Sequence, residues 1–205
     1  MKNVKKSLFI IFCVLPNLLS GQTSFENEEI ITGIVRSVSS LCTADLDGDG
    51  KIDVISASSA DNKIAWYKNT DENGNFSIEK IISDSAECAS SVFSCDIDLD
   101  GDMDVLAASA CDDKIVWYEN TDGNGTFNNE ILISNTADRP QSIYCADIDN
   151  DGDMDVLSAS FNDDIIALYK NTDGKGTFTA KQIITNTANG AYSVYAADID
   201  GDGDL

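Results

Sequence analysis

The stretch DIDLDGDMD, residues 96–104, places five aspartates within nine positions. Carboxylates this close repel one another, and each disfavours the ionised form of its neighbours unless a cation lies among them. The pattern recurs as DLDGDGKID from Asp45, DIDNDGDMD from Asp147 and DIDGDGDL from Asp198, so successive copies begin 51 residues apart. Four copies in register argue against a chance acidic loop and indicate a repeated cation site.

The positions within each copy indicate which cation is bound. Aspartate occupies positions 1, 3 and 5 in all four copies, glycine occupies position 6, and position 9 is aspartate in the three complete copies. Oxygen ligands in this number suit Ca²⁺, and glycine permits the sharp turn around the ion, whereas Mg²⁺ is the weaker alternative because it keeps several waters. Position 7 varies, as expected if only its backbone carbonyl binds the ion. The predicted calcium-binding residues are Asp45, Asp47, Asp49, Lys51 and Asp53 (loop 1), Asp96, Asp98, Asp100, Asp102 and Asp104 (loop 2), Asp147, Asp149, Asp151, Asp153 and Asp155 (loop 3), and Asp198, Asp200, Asp202 and Asp204 (loop 4).

The residues after each loop exclude an EF-hand or the related dockerin module. An EF-hand needs a bidentate glutamate at position 12 and a following helix. Position 12 is Ser56, Ala107 or Ser158, and the segments VISAS, VLAAS and VLSAS that follow the loops are β-branched and small. These segments predict strands.

The repeat as a whole predicts an all-β fold. In the second copy, SVFSCDI precedes the loop and DVLAASA follows it, KIVWYEN is a third strand, and FNNEILIS is a fourth strand after the hairpin TDGNGT. Phe76, Phe127 and Phe178 open the fourth strand, with Phe25 at the same repeat position near the N-terminus. Four short antiparallel strands in a 51-residue repeat are typical of a β-propeller blade, whereas a β-solenoid would need shorter and more uniform coils.

The number of repeats predicts an incomplete ring. The chain from Leu41 to Thr185 holds just under three units, and Leu205 falls one residue before the expected ninth-position aspartate of loop 4. Fewer than three units do not close a ring of four or more blades. We therefore expect residues 22–205 to be a partial propeller, truncated at the C-terminus, of a longer protein.

The pattern xADxDGDGxxDVL, followed by WYxNTDG and a strand that begins with Phe, resembles the FG-GAP/VCBS repeat family, which is related to the integrin α-subunit propeller. The resemblance covers residues 25–205. It implies calcium bound by the aspartates at positions 1, 3, 5 and 9 and by the carbonyl at position 7. The literal Phe-Gly and Gly-Ala-Pro elements are absent, so the resemblance is to the VCBS-like branch. Members occur on secreted and surface proteins, including adhesins, lectins and accessory modules of larger enzymes.

The N-terminus and the charge indicate a secreted or cell-surface protein. Residues 1–21 are predicted to be a signal peptide, because three lysines precede an apolar core and then small residues. A membrane span is not expected, since the apolar run is too short and contains Pro16 and Asn17. The net charge of −23 repels nucleic acid and anionic membranes, so neither is expected as a partner.

The cysteines divide into two groups. Cys42, Cys95 and Cys145 lie in first strands at different offsets from the loop and are interpreted as small buried thiols. Cys88 and Cys111 fall in two connections of one repeat that should emerge at the same end of the blade. In an oxidising compartment we expect these two to form a disulfide.

Other side chains argue against an enzyme and against a sugar-stacking platform. Trp66 and Trp117 are interpreted as packing between blades, because Leu168 occupies the third equivalent position. The chain has no histidine and two arginines, which removes histidine-based triads and most phosphate clamps. Paired aspartates for glycoside hydrolysis stay open, although every dense aspartate cluster is assigned to calcium.

Three functional hypotheses follow. The first is a secreted calcium-stabilised propeller that acts as a binding or adhesion module for a glycan or protein ligand. The second is an accessory or structural domain of a larger secreted enzyme, carbohydrate-active or similar. The third is a propeller enzyme with a site in its central channel.

Overall fold

The computed structural model describes residues 30–33, 35–71 and 74–205; the predicted signal peptide and the strand predicted at Phe25 lie outside these residues. The described part contains the strands β1 (Val38–Ala44), β2 (Asp53–Ser58), β3 (Lys63–Tyr67), β4 (Lys80–Ser83), β5 (Ala89–Cys95), β6 (Asp104–Ser109), β7 (Lys114–Tyr118), β8 (Ile131–Ser134), β9 (Pro140–Ala146), β10 (Asp155–Ser160), β11 (Ile165–Tyr169) and β12 (Gln182–Thr185). They form three four-stranded antiparallel sheets, hereafter blades 1, 2 and 3, each with its strands in chain order. The predicted all-β fold of four-stranded blades is confirmed.

The second strand of each blade is its most buried element. All six residues of β2, β6 and β10 are buried. Each of these strands lies between two neighbours in its own sheet, and its small Ala and Ser side chains allow the adjacent blades to approach closely. The sequences DVISAS, DVLAAS and DVLSAS therefore combine strand-forming Val and Ile or Leu with residues small enough for a sheet covered on both faces.

Neighbouring blades pack face to face through two apolar cores. The first core joins blades 1 and 2 and includes Leu46, Trp66, Val92 and Tyr118. A second core joins blades 2 and 3 in the same way. Position 2 of loops 1 and 2 is fully buried in these cores, as expected for an anchor of the loop, but position 8 of loop 1, Ile52, is 51% exposed. Met103, at the same position of loop 2, packs against the core between blades 1 and 2, and no such preceding blade covers Ile52 within the described residues.

The tryptophans lie between blades, as their replacement by Leu168 predicted. Trp66 and Trp117 are 2% and 3% exposed. The ring of Trp66 lies against Gly125 in the hairpin of blade 2, and a Cβ atom added to Gly176 of blade 3 would lie 2.5 Å from Trp117. The rings therefore fill space under the hairpin of the next blade, and a glycine is needed where the backbone crosses them.

Serine hydroxyls also join the first strand of each blade to the next repeat. The Oγ atoms of Ser40, Ser91 and Ser142 accept hydrogen bonds from the backbone N–H groups of Val92, Ile143 and Val194, at 3.2, 3.2 and 3.3 Å. The same bond therefore recurs at each junction, including that with the segment before loop 4. That segment is not assigned as a strand, because no described strand pairs with it.

The fourth strand begins later than its sequence predicted. Phe127 was expected to open it, yet β8 begins at Ile131. Phe127 instead forms an isolated antiparallel bridge with Asn120, and Phe76 and Phe178 do the same with Asn69 and Asn171. The bridge belongs to the hairpin, and the chain bends after it before it pairs again with the third strand.

The cysteines form two pairs in the described part of the chain. Cys88 and Cys111 are disulfide-bonded with their Cα atoms 5.4 Å apart, which confirms the predicted pair. Cys95 and Cys145 are also paired, with Cα atoms 6.7 Å apart, so their interpretation as free buried thiols was wrong. The physical reason is that β5 and β9, the first strands of blades 2 and 3, lie next to each other, which brings residues 50 positions apart into contact. Cys42 is free and partly buried, and burial raises the pKa of its thiol to about 12.

We predict that peptide mapping without reduction will recover both cross-links, 88–111 and 95–145, and will find Cys42 alkylated only after unfolding. Closing loops of 23 and 50 positions stabilises the fold by about 3 and about 4 kcal/mol in the chain-entropy model. The double variant Cys88→Ser/Cys111→Ser should therefore unfold at a lower urea concentration. Free alkylation of Cys95 and Cys145 in native protein from an oxidising compartment would contradict the second pair.

Candidate metal site

Loops 1 to 3 lie at one end of the blades, which we call the aspartate end. Each loop joins the first strand of its blade to the second, and the hairpin between the third and fourth strands emerges beside it. The Cys88–Cys111 disulfide joins connections at the opposite end, since Cys111 follows β6 and Cys88 precedes β5. The aspartate clusters of loops 1 to 3 therefore lie on connections, where side chains are free to converge on a ligand.

Backbone hydrogen bonds to the aspartates at positions 1 and 5 shape each loop. In loop 2, Asp96 Oδ1 and Oδ2 accept from the N–H groups of Asp100 and Gly101, at 3.1 and 3.0 Å. Asp100 Oδ1 in turn accepts from Asp102 N–H at 2.9 Å. Gly101 has a φ of 98°, in a region that glycine adopts without steric cost. Asp45 in loop 1 and Asp147 in loop 3 make the same pair of bonds.

The predicted ligands converge in all four loops, although not always at the same positions. In loops 1 and 2, carboxylate oxygens from positions 1, 3 and 9 lie within 4.8 Å of one another (Asp45, Asp47, Asp53; Asp96, Asp98, Asp104). In loops 3 and 4 the converging oxygens come from positions 1, 3 and 5 (Asp147, Asp149, Asp151; Asp198, Asp200, Asp202). Asp49, Asp100 and Asp155 lie outside these groups of three. Each group can hold a metal ion.

One carboxylate oxygen in loop 1 has an environment that suits a cation. The Asp47 side chain is 7% exposed, and its Oδ1 is buried without a hydrogen-bond partner in the described part of the chain. A buried polar atom without a partner is costly, and nearly all such atoms in folded proteins are satisfied. A hard cation among the oxygens of Asp45, Asp47 and Asp53 satisfies it, so the donor set fits a metal of the Ca²⁺ or Mg²⁺ type.

The ninth-position aspartate is a structural acceptor as well as a predicted ligand. Asp104 is completely buried; its Oδ2 accepts from Ile97 N–H at 3.0 Å and its Oδ1 accepts from Asn120 N–H at 2.8 Å. Asp53 and Asp155 are bonded in the same way. Burial raises the pKa of Asp104 to about 7, against the lowering effect of the two N–H groups. This carboxylate ties the start of the loop, the second strand and the hairpin together.

The residue that follows the third strand differs between blades. In blade 1, Lys68 Nζ contacts Asp47 and lies 2.9 Å from Asp49 Oδ2. In blade 3, Lys170 Nζ lies 2.5 Å from Asp149 Oδ2. In blade 2 this position is Glu119. Hydrogen bonds from the Lys51 and Lys68 ammonium groups hold the pKa of Asp49 below its usual range, and Lys170 lowers that of Asp149.

The seventh position presents its side chain outside the converging groups. Lys51 Nζ lies 2.9 Å from Asp49 Oδ2, and Asp102 and Asp153 lie beside the hairpin glycines Gly123 and Gly174. Asp204 Oδ1 accepts a 2.6 Å hydrogen bond from Asn150 of loop 3. These placements agree with a position whose side chain is not itself required in the cluster. Every residue of loop 4 is exposed.

Two asparagines that follow the third strand connect the loops to the next blade. Asn120 Nδ2 donates to Leu46 O of loop 1 at 2.9 Å, and Asn171 Nδ2 donates to Ile97 O of loop 2 at 2.9 Å. Both asparagines are 1% exposed. Their recurrence with Asn69 at the 51-residue interval was the available signal, but nothing in that recurrence pointed to the preceding blade.

A family model described as the FG-GAP-like repeat matches residues 45–107, 96–158 and 147–205. The chain belongs to the FG-GAP-like repeat family. The FG-GAP-like matches begin at the first aspartate of loops 1, 2 and 3, and each of the first two extends to the second strand of the next blade. A comparison with curated proteins finds no match.

Membership confirms the resemblance and indicates a propeller-like binding module, of a kind that is typically non-catalytic. The paired cysteines agree with an extracellular or surface location of FG-GAP-like repeats. Within the residues that the structure describes, no helix has the length and apolar character needed to cross a membrane.

We predict that Asp104→Ala will destabilise the chain by about 2–4 kcal/mol even with calcium chelated, because it leaves two N–H groups without their acceptor. Urea unfolding in excess EGTA measures this loss. Asp104→Asn, which keeps one carbonyl acceptor, should lose less, and Asp102→Ala, which removes a partly exposed carboxylate of the same loop, should lose little. Equal stability of Asp104→Ala and Asp102→Ala in EGTA would contradict a structural role for the ninth position.

Proposed function

We propose that this protein is a secreted calcium-binding β-propeller repeat module that binds a glycan or protein ligand. The observation that carries the calcium assignment is the convergence of carboxylate oxygens within 4.8 Å in each of four loops spaced 51 residues apart. A single acidic cluster is common on protein surfaces. Four clusters at a constant spacing, three of them with the same backbone hydrogen bonds to the first aspartate, support a repeated requirement for a cation.

The donor set favours calcium over other metals. Every converging atom is a carboxylate oxygen, and the chain has no histidine, so zinc and other metals that prefer nitrogen or sulfur are disfavoured. We propose that the side chains at positions 1, 3, 5 and 9 and the carbonyl at position 7 hold the ion. Bound calcium would offset the repulsion among these carboxylates and satisfy Asp47 Oδ1.

Secretion is supported by the N-terminal sequence and by the cysteines. We propose that residues 1–21 are a signal peptide and that residues 22–205 form part of the propeller. The two cysteine pairs fit an oxidising compartment. We further propose that the module is not itself catalytic and acts in binding or adhesion.

The aspartate end is the surface on which we propose that the ligand binds. Loops and hairpins carry most of the exposed polar side chains there, whereas the sheet faces are covered by neighbouring blades. The two buried tryptophans do not supply a sugar-stacking platform at this end. A glycan would therefore be held through calcium and loop oxygens, and a protein through the hairpins.

We predict that calcium will raise the melting temperature, because each ion binds the folded form. About three ions should bind per chain, and loop 4 should bind calcium most weakly. The free energy of unfolding should rise by about 1.4 kcal/mol per site for each tenfold excess over the dissociation constant. Asp100→Ala should reduce this rise, whereas Asp138→Ala, an exposed aspartate at the opposite end, should not. Identical melting with calcium and with EGTA, or zinc as the retained metal after dialysis, would refute the calcium assignment.

We also predict that ligand binding requires calcium. A glycan array should be probed in about 2 mM CaCl₂, because extracellular calcium sites bind at up to about 10⁻³ M. Its signals should disappear when EGTA is added. If no glycan binds, cross-linking to extracellular proteins should capture a calcium-dependent partner. Absence of both, in protein shown by melting to be folded and calcium-loaded, would contradict the binding role.

A further inference from the structure

The aspartate loops of blades 2 and 3 are nearly identical in sequence but lie beside residues of opposite charge. Loop 2 reads DIDLDGDMD and loop 3 reads DIDNDGDMD, so the two differ at position 4 alone. The residue that follows the third strand is Glu119 in blade 2 and Lys170 in blade 3. The chain therefore presents nearly the same loop beside a negative residue in blade 2 and beside a positive residue in blade 3.

Lys170 extends its ammonium group into loop 3. Its Nζ lies 2.5 Å from Asp149 Oδ2, at the third position, which is among the converging carboxylates. Lys68 makes the equivalent contact in blade 1, with the third-position Asp47 and also with Asp49. The carboxylates in these two loops therefore already have a cation from the chain itself.

Glu119 occupies the same place in blade 2 and has the opposite charge. Its Oε2 accepts a 2.6 Å hydrogen bond from Asn128 Nδ2 of the same blade. Loop 2 therefore has five aspartates and a neighbouring glutamate, and no lysine pairs with its carboxylates among the described residues. Loop 3 has five aspartates and one lysine, and loop 1 has four aspartates and the two lysines Lys51 and Lys68.

We propose that the residue after the third strand sets the calcium affinity of each loop, so that loop 2 is the tight site and loops 1 and 3 are weak sites. The proposal rests on the calcium binding proposed above. In loops 1 and 3 the lysine ammonium is an internal competitor, because it contacts Oδ2 of the third-position carboxylate and its positive charge opposes a second cation beside it. In loop 2 the glutamate adds a neighbouring negative charge, which attracts a cation and so strengthens the site.

The order of affinity has a consequence for the protein. At calcium concentrations between the dissociation constants of the tight and the weak sites, loop 2 holds calcium while loops 1 and 3 keep their lysine contacts. Blade 2 lies between the other two blades and is covered by both apolar cores. The tight site therefore holds the central blade, whereas the weak sites respond to changes in external calcium.

A CaCl₂ titration of ¹⁵N-labelled 205-residue chain, followed by NMR, resolves the loops individually. The sixth-position glycines Gly50, Gly101 and Gly152 supply one backbone amide in each loop. We expect Gly101 to reach its midpoint at a calcium concentration about tenfold or more below those of Gly50 and Gly152. Two unit charges about 4 Å apart change an affinity by about fivefold even in bulk water, the divalent ion doubles that free energy, and the surroundings of loops 2 and 3 differ by two unit charges.

Charge variants test the cause within a single loop. Lys170→Gln should lower the midpoint of Gly152 by about fivefold or more and leave Gly101 unchanged, and Glu119→Lys should raise the midpoint of Gly101 by about tenfold or more. Lys181→Gln is the matched control, since it also removes one ion pair of blade 3, with Asp163 in the turn at the opposite end. It should leave the midpoint of Gly152 within about twofold of the parent value, the precision of such a titration.

The outcomes separate this proposal from the calcium assignment. If none of the three glycine amides responds to CaCl₂ up to about 10 mM, well above the dissociation constants of extracellular sites, the calcium-binding proposal is wrong. The proposed order of affinity among the loops is then wrong as well. If all three amides respond at one midpoint, or if Lys170→Gln leaves the midpoint of Gly152 unchanged, calcium binding is supported but the proposed order of affinity among the loops is wrong. Amide spectra of each variant in EGTA establish that it is folded, and Glu119→Gln provides a milder change if Glu119→Lys is not.

Discussion

Each blade depends on one buried carboxylate at the start of its second strand. A charged group completely removed from water is stable in a fold only when its oxygens are well satisfied, and Asp104 receives one N–H from the loop before it and one from the hairpin after the third strand. These two bonds bring the loop and the hairpin to the same end of the blade. In loops 1 to 3 this arrangement limits the freedom of the other aspartates, because both ends of the loop are held.

The loops are completed by the blade that follows them. Asn120 of blade 2 bonds to the carbonyl of Leu46 in loop 1, and the hairpin glycine Gly125 lies on Trp66. Loop 3 has no following blade of this kind among the described residues, and Ile148 is only partly buried where Ile97 is completely buried. This difference agrees with the change in converging positions from 1, 3 and 9 in loops 1 and 2 to 1, 3 and 5 in loops 3 and 4. Packing between blades and the geometry of the acidic sites are therefore linked.

Negative charge is concentrated where it can be neutralised. Half of the 36 acidic residues lie in the four loops, and the chain supplies its own cations to two of them through Lys68 and Lys170. Such exposed pairs contribute little to stability on their own. Their importance lies in competition for the oxygens that a metal would use. The aspartate pattern alone predicts equivalent loops, whereas the residue that follows the third strand makes their charges different.

The amino-acid sequence by itself determined the repeat, the four strands of each blade and the aspartate loops, because these local patterns recur every 51 residues. It also determined the Cys88–Cys111 pair, because the strand order of one repeat places both connections at the same end of the blade. Only the tertiary structure decided the contacts between repeats. Cys95 and Cys145 lie at different offsets from their loops, so no periodic pattern joined them, and their pairing depends on the spacing between the first strands of blades 2 and 3. The second role of Asp104, as a backbone acceptor, was hidden for the same reason: its partner Asn120 is distant in sequence and reaches it only when the hairpin folds back over the loop.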